Sequence, residues 1–198
     1  MMPSTESATY HTRITIFLHW FMALAILGML TLGWGFDYLP KGEVKLGLIG
    51  AHKSIGIVIL FLGIARLARR IAHHARSLPA IQCLWGRRIA STTHILLYVA
   101  VIGLPLSGWM MVSTSPRNIP TVLFDIVPWP NLPILPTLEN RAQMTRYLLT
   151  AHWWMSIVLA ALIAGHAMAA LRHHFISRDD TLLRMMPRLG GKRPANRA

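Results

Sequence analysis

Five histidines, His19, His52, His94, His152 and His166, fall inside four long apolar stretches of the chain. Neutral imidazole is the commonest nitrogen ligand for metals and for haem iron, and an ionisable side chain in hydrocarbon is a functional candidate by default. The step from His152 to His166 is 14 residues. On a helix this is about 21 Å of rise and about 40° short of four full turns, so both imidazoles project from one face at two levels. Two ligand levels in one bundle suit two stacked haems, each held by nitrogens from two different helices.

The elements that must position these side chains are Ile14 to Phe36, Leu46 to Ala65, Ile89 to Val112 and Tyr147 to Leu171. Each is close to the roughly 20 residues that cross a bilayer. With 54% hydrophobic residues and a mean hydropathy of +0.45, the class is all-α, a transmembrane four-helix up-down bundle. The first stretch follows a polar segment and lacks a small-residue cleavage site, so it is expected to be retained as a helix. Residues 1–188 read as one di-haem domain, and 189–198 as a basic, disordered cytoplasmic tail.

The net charge of +13 is unevenly placed. Arg13, the Arg66 to Arg88 segment and the chain after Leu171 hold 14 of the 20 basic residues. The positive-inside rule then places both termini of this multi-pass chain in the cytoplasm. A basic face toward anionic lipid headgroups explains the charge without nucleic acid. The other side carries Lys41, Lys45, Lys53, Arg117, Arg141 and Arg146, candidates for steering an anionic electron donor. Ser113 to Arg146, with six prolines, reads as an extended outer loop with a short interfacial piece around Trp129.

With this orientation His52 and His152 are matched in depth near the outer face. His166 is inner, and its partner is either His19 or His94; a sequential helix order favours His19, while periodicity leaves the choice open. His11, His73 and His74 read as solvated, and His173 and His174 as helix capping or a ligand site. Trp20, Trp34, Trp109, Trp153 and Trp154 read as interfacial belt residues. Cys83 is the sole cysteine and no C-x-x-C-H occurs, so any haem is non-covalent, of b type.

Several segments in order resemble the bacterial cytochrome b561 family. They are I-x-x-H-W (Ile16 to Trp20), A-H-K-S-x-G (Ala51 to Gly56), R-L-x-x-R (Arg66 to Arg70), H-x-x-x-Y (His94 to Tyr98), G-x-P-x-x-G (Gly103 to Gly108), A-H at 151 to 152, G-H-A-x-A-A-L-x-H-H-F (Gly165 to Phe175) and D-x-T-L-x-R-M-M-P (Asp179 to Pro187). The resemblance implies two haem b groups, with His19 and His166 on the inner haem and His52 and His152 on the outer one. It implies an oxidoreductase that passes electrons from a periplasmic donor, with superoxide the leading candidate, to ubiquinone or a similar quinone. His173 matches a family position near the quinone, and His94 is a second quinone candidate. Two other functions fit histidines in a membrane: a haem-b anchor relaying electrons for a hydrogenase- or dehydrogenase-like partner, and a metal-ion transporter. The transporter is disfavoured, because the four stretches contain no Asp, Glu or Cys.

Overall fold

The computed structural model describes residues 13–72, 84–117 and 119–186. His11, His73, His74, Cys83 and the tail 189–198 lie outside the described residues. Four helices, α1 (Arg13–Gly35), α2 (Glu43–Ala72), α3 (Leu84–Thr114) and α4 (Arg141–Arg172), are long and apolar enough to cross a membrane. The last three outrun the apolar stretches expected for them. Hydropathy ends where charges begin, but Glu43 in the first turn of α2 and Arg69 and Arg70 in its last complement the helix dipole and let the helix continue beyond the hydrocarbon. Pro105 lies inside α3 without ending it.

The backbones of α1 and α2, α2 and α3, and α3 and α4 run in close contact. The buried centre is a layer of Met22, Ile26 and Leu30 from α1, Ile59 from α2, Ala100 from α3 and Leu159 from α4. Leu159 is only 1% exposed and lies seven residues from both His152 and His166, so this layer separates the two histidine levels. The outer surface of the helices is apolar, with Phe17, Leu24 and Phe61 among the exposed side chains, as lipid contact requires.

The proline-rich connection is more ordered than an extended loop. Thr121–Leu123 (β1) pairs antiparallel with Val127–Trp129 (β2), and a short 3-10 turn, Leu135–Thr137, precedes α4. Pro128 is tolerated because a two-stranded ribbon has only edge strands. The turn holds Phe124 and Asp125 at φ 52° and 58°, a left-handed pair that suits a tight hairpin but strains a non-glycine residue. Ser54 on α2 fixes it, its hydroxyl accepting from the Phe124 N–H at 2.9 Å.

Candidate functional site

The histidines form two levels, called outer and inner after the expected orientation; the outer level, nearer the hairpin, is built by α2 and α4. The His52 and His152 rings face each other with centroids 6.3 Å apart and planes at 69°. His152 is fixed from behind: its Nδ1 lies 3.1 Å from the Leu104 carbonyl and 2.9 Å from Ser107 Oγ. A carbonyl can only accept, so Nδ1 carries the proton and Nε2 keeps its lone pair toward His52. Glycines back both rings. A Cβ on Gly108 would meet His152 Cε1 at 3.1 Å, and one on Gly33 would meet His52 Cε1 at 3.3 Å. His52 Nδ1 is buried and finds no hydrogen-bond partner among the described residues. Such orphans are rare in finished interiors and mark a site whose chemistry involves a further group.

The inner level is built by α1, α3 and α4. His19 and His166 also stand 6.3 Å apart, with planes at 75°, while His94 approaches His166 more closely, at 5.6 Å. Arg66 lies 3.0 Å from His19 Nδ1, and a guanidinium can only donate, so His19 here has the tautomer opposite to that of His152. Arg66 is also within electrostatic reach of His166, and Arg70 of His94.

With a metal–nitrogen bond of about 2.0–2.1 Å, two imidazoles that shared one metal ion would need ring centroids roughly 6 Å apart. Both 6.3 Å pairs fit that span, and the 5.6 Å pair falls short of it. The helix pairs that carry them, α2 with α4 and α1 with α4, are not among those in close backbone contact, which leaves width for a flat macrocycle. Among the described residues no three or more His, Cys, Asp or Glu gather as a metal-ion cage. Histidines meeting in twos would hold a haem iron by two imidazole nitrogens.

The chain that shows this geometry matches the family model described as prokaryotic cytochrome b561 over residues 10–188. It belongs to the prokaryotic cytochrome b561 family. The chain is 35% identical over 185 residues to cytochrome b561 homolog 1 of Escherichia coli K12, covering 89% of this chain and 97% of that protein. Homolog 2 of the same organism is 29% identical over 189 residues, 93% of this chain and 95% of the relative. A probable superoxide oxidase CybB of Yersinia pestis is 28% identical over 141 residues, 71% and 75% respectively. Membership makes the protein a multi-pass membrane cytochrome of electron transfer with haem b as its cofactor, in keeping with the four apolar helices and the paired imidazoles.

Both ends of the bundle are closed by contacts that hydropathy does not carry. At one end the hairpin lies over α2, with Lys53 Nζ 3.4 Å from Thr121 Oγ1, while Lys45 donates to the Phe36 carbonyl at 2.7 Å. Lys41, Arg117 and Arg146 are exposed, and Arg141 is half-buried. At the other end α4 passes into a π turn, His173–Ser177, and the chain folds back so that Trp20 Nε1 donates to the Met185 carbonyl at 2.7 Å. His173 Nδ1 pairs with Asp179 Oδ2 at 2.6 Å, and Asp179 Oδ1 accepts from the Thr181 N–H at 2.9 Å. Burial raises the Asp179 carboxyl, but the hydrogen bonds from Thr181 and His173 outweigh it and hold it down at about 2. The expectation of a plain aromatic belt is too simple: Trp20 ties the terminal segment, Trp34 donates to Ser156 Oγ at 3.0 Å, and Trp109 to the Pro130 carbonyl at 3.0 Å.

Arg66, Ser107 and Asp179 were not singled out from sequence as site residues. Asp179 had a signal in its spacing from His173, six residues across a helix end; Arg66 and Ser107 act across helices and had none.

Proposed function

We propose that this chain is a di-haem b cytochrome of the bacterial inner membrane, with both termini cytoplasmic, that oxidises superoxide at its outer end and reduces ubiquinone at its inner end. The observation that carries the reading is the pair of 6.3 Å imidazole contacts at two levels, His52 with His152 and His19 with His166. Support for the donor comes from the relative named a probable superoxide oxidase, and from the outer lysines and arginines whose field concentrates an anion.

Bound haem b supplies a one-electron couple at each level. The protein does the rest. Lys53, one residue from His52 and beneath the hairpin, draws the anion to the outer end. Leu104 and Ser107 hold His152 Nδ1–H so that Nε2 faces inward. At the inner end His19 would hold the haem through Nε2, which needs its proton on Nδ1 and Arg66 turned away from that atom. Two superoxide ions each give up one electron and become dioxygen, and a quinone takes the two electrons with two protons. His173, its Nδ1 held by Asp179, presents Nε2–H to the quinone and is reprotonated from the cytoplasm.

The test is haem content, spectrum and kinetics of the purified protein. Two acid-acetone-extractable haems per chain, low-spin bis-histidine spectra and rapid reduction by superoxide with reoxidation by ubiquinone are expected. A ratio near one overturns the di-haem reading. Inert behaviour toward superoxide with rapid reduction by a copurifying dehydrogenase makes the chain an electron-relaying anchor instead.

A further inference from the structure

A groove runs down the lipid-facing side of the bundle between α2 and α3 at its arginine-rich end. Two adjoining hollows of about 420 and 410 Å³ share Leu67, Arg70 and Ile95; one extends toward Ser91, the other past Val99 and Ile102 to Gly103. From Ser91 to Gly103 is 12 residues. This is about 18 Å of helix, close to the roughly 15 Å depth of one leaflet's hydrocarbon. The groove is therefore about as long as one acyl chain, and most of the side chains that line it are apolar.

Where the two hollows meet, the lining is not apolar. The Arg70 guanidinium lies over the Tyr98 ring at 5.5 Å from the centroid, which steadies it while leaving its N–H edge free to donate. Ser91 adds a hydroxyl within one of the two hollows. No Asp or Glu occurs between Glu43 and Asp125, so α3 holds no acid and the one in α2, Glu43, lies at the opposite end of that helix from Arg70. A half-buried guanidinium at the mouth of an acyl-length groove calls for a phosphate carried on a lipid.

We propose that this groove binds one anionic phospholipid of the adjacent leaflet, its phosphate on Arg70 and Ser91 and one acyl chain along Ile95, Val99 and Ile102. A neutral quinone leaves the guanidinium uncompensated, so charge favours the phospholipid as occupant. The site is separate from the histidine pairs and stands whether or not superoxide is the donor.

Native mass spectrometry of the haem-loaded protein, titrated with phosphatidylglycerol and with phosphatidylcholine of the same chains, tests it. The wild type should retain one phosphatidylglycerol about tenfold better than phosphatidylcholine. Arg70→Gln should bring the two to near parity with the haem spectrum unchanged, Arg70→Lys should keep most of the preference, and Val99→Trp, which fills the groove, should lower retention of both. Equal retention by the wild type, an undiminished preference in Arg70→Gln, or displacement of ubiquinone rather than phospholipid by Val99→Trp each overturns the proposal.

Discussion

The outer and inner histidine pairs have the same separation but are held by different physics. Backbone fixes the outer pair: a carbonyl behind His152, glycines against both rings and a hairpin pinned overhead by Ser54. Charged groups surround the inner pair. Arg66 holds His19, His94 crowds His166, and Gly165, beside His166, has no neighbour that a Cβ would meet. Fixed dipoles cost little to keep in place, whereas a mobile guanidinium can exchange partners. The outer site is therefore pre-organised and the inner one adjustable.

The largest effects should come from removing the rings. His52→Ala or His152→Ala should abolish one low-spin haem and spare the other, and His19→Ala or His166→Ala the reverse, each halving the haem-to-protein ratio. His94→Ala should leave both, and loss of a haem in that variant with retention in His19→Ala would reassign the inner pair. Next is the outer field. Lys53→Glu should slow stopped-flow reduction by superoxide severalfold, and so should raising salt from 0.01 to 0.1 M, which shortens screening from about 30 to about 10 Å. Salt-independent rates would remove steering while keeping the redox reading.

Smaller changes probe the inner end. Arg66→Gln withdraws a cation that stabilises an added electron, so redox titration should show the inner potential lowered by on the order of 50–100 mV with the outer one unmoved. Asp179→Asn should slow quinone turnover severalfold without altering either spectrum. Because Asp179 is held at about 2, below the ordinary carboxylate value of 3.8, its contribution to docking the terminal segment is complete above that ordinary value and lost as pH falls through about 2. Trp20 fluorescence should report that release only in strong acid. The smallest contrast is glycine to alanine. Gly108→Ala should tilt His152 and broaden the outer haem spectrum, while Gly165→Ala, with open space around it, should be silent.

The four spans and the depth matching of the histidines were legible because helical rise converts residue number into depth. His152 and His166 needed nothing else, since both lie on one helix. The choice between His19 and His94 needed the rotation of α1 and α3 relative to α4, which one sequence does not contain. Arg66 was equally hidden: it reads as one more loop-end arginine until α2 is set beside α1. The hairpin was obscured by its prolines, which signal extension and turns but not which segments pair.

The apolar layer around Leu159 also acts as an insulator. The two histidine levels are separated by about 21 Å along α4, roughly 0.7 of a hydrocarbon core about 30 Å thick. Moving one charge across the full core costs about 2.3 kcal/mol per 100 mV, so an electron passed between the levels does about 1.6 kcal/mol of work at that voltage. In the proposed orientation an electron travelling inward moves against an inside-negative potential, which shifts its equilibrium roughly 15-fold toward the outer level per 100 mV. The cytochrome would thus be throttled when the membrane is fully energised and would deliver electrons most readily when the potential falls.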